Sequence, residues 1–363
     1  MSEVRDMLVD TASRILADHC TRAVREAAER GEWPAALWQA LDDAGLTQAA
    51  TAESRGGPGA ELADAFGLLK TAAAYAAPLP LAETLLAEQM LAAAGLPPAK
   101  GPATVGPVVA GDRITLARAG AGWRLDGVAH RIPWARAAGA VVLAADCDGV
   151  PATVVLRRPP VAAHGANLAG EPRDTVDCGG LEVSEADVAL GRGFDAARLR
   201  SLGALCRAAA ISGALETMLQ MAVDYAKDRV QFGRPIAKFQ AVQQQAAELA
   251  GEVAAASAAA QAAVDALERG DARFETAAAK ARAGEAVGIA TAIAHQIHGA
   301  IGFTHEHALH WYSRRAWSWR EEFGSEDEWS AWIGAEVARI GGEGLWRFLT
   351  APHSTQHDGD TTR

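Results

Sequence analysis

Apolar positions recur along this chain with a helical period at both ends and a shorter period in the middle. Leu37, Leu41 and Ala44, and later Leu81, Leu85 and Leu86, fall on one face of a helical repeat of roughly 3.6 residues. Turn signals punctuate this stretch at Gly31, Arg55-Gly56-Gly57-Pro58-Gly59, Pro78-Leu79-Pro80 and Pro97-Pro98. Strand-like runs follow, among them Arg113–Ala117, Gly139–Leu143 and Thr153–Leu156, with Asp126-Gly127 and Asp148-Gly149 as hairpin or tight-turn pairs. Helical spacing then returns in Leu215, Met218, Leu219, Ala222 and Val223, in two alanine-rich segments over about 239–268 and 272–298, and in Trp329, Trp332, Ile333, Val337 and Ile340. The pattern predicts an α+β, mainly α fold. An N-terminal α-helical domain spans 1–98, a small middle antiparallel β-domain 99–193 and a C-terminal four-helix bundle 194–350, with a disordered polar tail over 351–363.

Composition narrows the function. With 363 residues, 50% hydrophobic and 22% charged, the chain is globular. A formal charge of -11 leaves no general basic surface for a phosphate backbone, so no nucleic-acid partner is expected. Charges cut the apolar stretches before they reach the roughly 18–20 residues of a membrane span, and no membrane partner is expected. The start, Met1–Asp6, carries neither a basic nor an apolar leader region, which predicts a cytoplasmic protein. Cys20, Cys147, Cys178 and Cys206 form no C-x-x-C pair and read as reduced packing residues.

Common chemical motifs are absent: Gly120-Ala121-Gly122 lacks the third glycine of a dinucleotide fingerprint, and neither a P-loop nor a G-x-S-x-G elbow occurs. His295, His298, His305, His307 and His310 crowd together without the H-E-x-x-H spacing of a metal site, so no metal is expected. Two segments are less generic. Around Tyr225–Gln243 a helix is expected to end near Phe232, with Gly233 as C-cap and Pro235 as a stop, which presents Arg229, Gln231 and Gln240 beside aromatic rings. Such a cluster suits a pyrophosphate and a flat ring. In His295–His307, Gly299 and Gly302 follow a helix and let backbone amides approach a ligand.

Together these segments resemble the signatures of the acyl-CoA dehydrogenase family; Arg55–Gly59 resembles its N-terminal glycine-rich loop, and Pro80–Leu86 is similar to a bacterial subgroup of it. The resemblance extends over nearly the whole chain and implies an FAD enzyme, usually a tetramer, in which one subunit's bundle holds part of its neighbour's FAD. It implies FAD contacts from Arg229, Gln231, Phe232, Phe239, Gln240, Gln296, Ile297, His298, Gly299 and Ala300. It further implies CoA contacts from Asp195 and Arg198, and an electron-transferring flavoprotein as acceptor. The chemistry is removal of an α-proton by a carboxylate while hydride leaves the β-carbon, giving a trans-2-enoyl-CoA.

The family's base is a Glu before a Gly-Thr-Ser-like turn, and its register here is taken by Phe323, followed by Gly324-Ser325. Glu322 is the leading candidate base, with Glu321 and Asp195 behind it. The family's flavin loop is not visible between Val105 and Trp123, and the strand that usually reads Lys-x-Trp-Ile-Thr reads Ala129-His130-Arg131-Ile132-Pro133. Two readings follow: an acyl-CoA dehydrogenase with a displaced base, in a homo- or hetero-tetramer, or a non-catalytic subunit completing a partner's FAD site.

Overall fold

The computed structural model describes residues 3–270 and 272–350, so the expected tail lies outside the described residues. The chain opens with helices α1 (Glu3–His19), α2 (Arg22–Glu29), α3 (Ala35–Asp43), α4 (Leu62–Ala74) and α5 (Leu81–Ala94). Helix α5 has no polar face, because it is enclosed on nearly every side; even Glu83 and Glu88 are buried.

Strands β1 (Ala103–Gly106), β2 (Thr115–Ala119), β3 (Gly122–Asp126), β4 (Val128–Pro133), β5 (Ala140–Cys147), β6 (Val150–Leu156), β7 (Val161–Ala163), β8 (Arg173–Asp177), β9 (Leu181–Val183) and β10 (Val188–Leu190) form two sheets. One has the order β10-β6-β5-β2-β3-β9 with β1 beside β5; the other is β4-β8-β7. The expected antiparallel domain is therefore mixed, since β1 runs parallel to β5. The long excursion through β2–β4 gives the chain room to return in the same direction, which a short hairpin cannot do. Asp148-Gly149 makes the tight β5–β6 turn with both residues at positive φ. Asp126-Gly127 instead carries the chain from one sheet to the other.

The C-terminal part comprises α6 (Ala196–Asp228), β11 (Val230–Gln231), β12 (Arg234–Pro235), α7 (Gln240–Arg269), α8 (Arg273–His298), α9 (Leu309–Glu321), α10 (Glu326–Ile340) and α11 (Gly342–Thr350). Helix α6 is central and packs against α4, α7, α8 and α9. Small residues permit this: a Cβ on Gly213 would lie 2.1 Å from the Lys70 carbonyl oxygen of α4. Two helical stretches, Ala196–Asp228 and Arg273–Phe303, are long and apolar enough to cross a membrane, contrary to the sequence expectation. The most apolar window of α6 is nevertheless 83% buried against its neighbours. The bundle's fourth position also differs from a single helix: α9 and α10 share it. Between them Phe323 and Gly324 adopt positive φ, and Ser325 caps α10 by accepting from the Glu328 amide.

Candidate functional site

The first predicted segment is not a helix C-cap. Helix α6 stops at Asp228, and Val230–Pro235 forms a two-stranded hairpin whose tip, Phe232-Gly233, has φ of 50° and 78°. Both tip residues at positive φ are the requirement of a type I′ turn, which glycine meets without cost. The tip holds Phe232 in solvent at 92% exposure, edge-on to Phe239, while the Arg234 guanidinium lies over the Phe239 ring. Arg229, Gln231 and Gln240 are exposed, and among the described residues Arg229 makes no ion pair.

The second segment reaches the same end of the bundle. Tyr225, one turn before Arg229, stacks on His298 with ring centroids 4.8 Å apart. His298 is buried, its Nδ1 is 2.7 Å from the Ala294 carbonyl oxygen, and its Nε2 has no partner among the described residues. Burial holds its pKa below the ordinary value. Gln296, Gly299 and Ala300 are exposed, whereas Ile297 is buried under them. The arrangement fits FAD: unpaired guanidinium and amide donors, an aromatic face and open glycine backbone look outward on one surface. A ligand there needs a second wall, which a neighbouring subunit would provide. The predicted histidine cluster forms ring pairs, His298 with His307 and His305 with His310, 4.6 and 4.7 Å apart.

The candidate acids lie across the molecule, where the turn after α9 faces the β-domain. A cleft of about 220 Å³ is lined by Val108–Ala110, Arg131, Pro133, Glu321–Gly324 and Glu328. It brings together the acid turn and the strand Ala129–Pro133, where a bulge and a positive φ at Arg131 interrupt β4. Glu321 is exposed here, its side chain 60% accessible and 3.8 Å from Arg320.

Glu322 turns inward. Its Oε1 accepts from Arg173 Nε on β8 at 2.7 Å, its Oε2 from Arg207 Nε on α6 at 2.7 Å, and Asn167 lies 3.4 Å away. Burial alone would push its pKa up, but Arg173 and Arg207 outweigh it and hold the carboxyl below the ordinary value. As a base, Glu322 would have to leave two buried guanidiniums, so this geometry makes it a charge partner. The pairs continue in both directions. Arg207 also binds Glu83 of α5, while Arg173 reaches Glu171 at 3.2 Å, which Arg315 of α9 meets at 3.0 Å. Sequence reading missed Glu83, Arg173, Arg207 and Arg315, because nothing in their local spacing indicates partners more than a hundred residues away. Glu83, Glu171, Arg173 and Arg207 line an inner cavity of only about 40 Å³, together with Leu69, Trp134 and Trp319.

Asp195 and Arg198 stand apart from the acid turn. Asp195 caps α6 by accepting from the Arg198 amide at 2.7 Å, and the Arg198 guanidinium lies over Phe194. Asp195 therefore acts as a helix cap here. Both residues line a cleft of about 620 Å³ with Gln89, Ser201, Arg273 and Thr276.

Comparison with known proteins agrees with this geometry. The family profile "Acyl-CoA dehydrogenase, N-terminal domain" matches residues 2–100, and "Acyl-CoA dehydrogenase, C-terminal domain" matches residues 191–334. The chain is 30% identical over 329 residues to the acyl-CoA dehydrogenase IpdE2 of Mycolicibacterium smegmatis, covering 87% of this chain and 93% of that protein. It is 32% identical over 333 residues to IpdE2 of Mycobacterium tuberculosis, covering 86% and 91%. Among solved structures, the ChsE4-ChsE5 complex from Mycobacterium tuberculosis superposes with a TM-score of 0.85 at 25% identity, over 94% of this chain and 99% of that one. The chain belongs to the acyl-CoA dehydrogenase family.

Proposed function

We propose that this chain acts in the FAD-dependent α,β-dehydrogenation of an acyl-CoA thioester, within an oligomer whose bundle ends hold the flavin. The observation that carries this reading is the cleft in which an acid turn faces the bulged strand of the β-domain. FAD, when bound, would accept the hydride leaving the β-carbon.

The chain's own residues would supply the rest. Arg229, Gln231 and Gln240 would meet phosphate and ring edges, with Phe232 and Phe239 against the flat portion. Glu321 is exposed in the cleft and is held by no buried arginine, and we assign it the base in preference to Glu322. Arg173 and Arg207 fix Glu322 and thereby hold the adjoining turn. Electrons would leave toward an electron-transferring flavoprotein, as the family resemblance implies.

The test is to purify the protein, measure flavin per subunit, and follow acyl-CoA-dependent reduction of an artificial acceptor. Stoichiometric FAD with turnover is expected, and Glu321→Gln should lower kcat by about 10²–10⁴-fold. An unchanged Glu321→Gln enzyme would remove the base assignment. If flavin and turnover arise only with a second, different subunit, the chain completes a partner's site.

A further inference from the structure

Lys280 of α8 is fully buried, yet among the described residues it belongs to no ion pair. Its Nζ donates to two backbone carbonyl oxygens, Arg320 at 2.5 Å and Gly324 at 2.6 Å. These carbonyls flank the segment Glu321-Glu322-Phe323. The last carbonyls of a helix have no partner within it and carry partial negative charge, so a buried amine is well matched to them. The turn needs such support, because Phe323 and Gly324 both hold positive φ, a conformation that is strained for phenylalanine. A third carbonyl of the turn also has a donor: Trp329 Nε1 donates to the Phe323 oxygen at 3.0 Å. Phe323 itself is wedged on α6, where a Cβ on Gly203 would come within 2.2 Å of its ring.

We propose that Lys280 is a positioning residue that staples both ends of the acid turn and so aims Glu321 into the cleft. The inference rests on the reading that this turn carries the base. A charged amine has three donors and a neutral one has two, so either form serves both carbonyls. Burial drives the Lys280 pKa down to about 7, against the pull of Glu322 and Glu321, with Arg207 of α6 lowering it further and Glu328 of α10 raising it. Below about pH 7 the amine therefore adds positive charge beside Glu321.

The experiment compares the active assembly with its Lys280→Met and Lys280→Gln variants. In Lys280→Met, hydrogen exchange of the amides at 321–325 should accelerate by about tenfold or more as the turn opens locally. Its kcat should fall by about 10²-fold, the cost of a misplaced catalytic group, with KM little changed. Lys280→Gln, whose amide keeps two donors, should recover part of both the protection and kcat. Unchanged exchange in a folded Lys280→Met protein overturns the staple. Faster exchange with unchanged kcat overturns the positioning role.

Absence of acyl-CoA oxidation by the wild-type assembly would instead sink the functional reading on which the role rests. A measurement on the wild type needs no variant to fold: reductive methylation of native protein should spare Lys280 while modifying the exposed Lys227 and Lys238. Modification of Lys280 at their rate overturns the proposal.

Discussion

Glu171 shows what a buried charge requires in this interior. It accepts from Arg315 on one oxygen and from Arg173 and Asn167 on the other, so both carboxylate oxygens meet donors. Burial pushes its pKa up, Arg315 and Arg173 more than reverse this, and the nearby Glu322 works against them. Removing one member of such a chain strands its partner's charge, which typically costs about 3–5 kcal/mol. Glu171→Gln should therefore destabilise the protein by that order in chemical denaturation at pH 7. The pH dependence has a definite sign. A carboxyl whose folded pKa lies below its unfolded value of 4.5 contributes stability above that value and loses it as pH falls through the folded pKa. The stability gap between wild type and Glu171→Gln should shrink below pH 4.5, and a gap that stays constant to pH 3 would contradict the pairing. None of this was legible in the chain. The family register leads to Phe323, but no local spacing says that Glu322 points inward to Arg173 and Arg207 while Glu321 points out.

The long elements were legible because their cause is local. Alanine-rich runs with helical spacing become α7 and α8, and the proline punctuation at Pro78 and Pro80 separates α4 from α5. The errors lie where one residue type serves two geometries. Gly233 at positive φ suits a helix C-cap and a hairpin tip equally, and only pairing between Val230 and Pro235 distinguishes them. Likewise the parallel β1–β5 pair depends on a crossover that no strand run reveals. At this scale the glycines divide into two classes. Gly213 lies where α6 meets the α4 backbone, which cannot move aside; Gly213→Ala should cost about 1–3 kcal/mol as an overpacked contact. Gly334, inside α10, has nothing within 4 Å of an added Cβ. There the substitution to alanine should stabilise the helix by roughly 0.4–1 kcal/mol. Paired thermal and denaturant unfolding checks both, and equal effects at the two sites would refute the packing argument.

Across the whole molecule, the resemblance was readable because two short segments carry the family's signature, although about 55 residues separate them in the chain. The structure adds that they share one outward surface, through Tyr225 on His298. That surface is unusually apolar for one facing solvent: Phe232 is 92% exposed, Phe303 75%, and Val230 and Ile301 are exposed beside them in their segments. Large apolar side chains grouped on a soluble protein's surface mark a place that another molecule covers. A neighbouring subunit accounts both for these side chains and for donors such as Arg229, which have no partner among the described residues. The joint change Phe232→Asp with Phe303→Asp should therefore reduce the mass seen by light scattering and lower flavin per subunit together. Circular dichroism should stay unchanged, since neither ring is part of the buried core. Loss of flavin without loss of mass would place the two rings on the ligand alone. Retention of both would show that this end of the bundle faces solvent in the working protein.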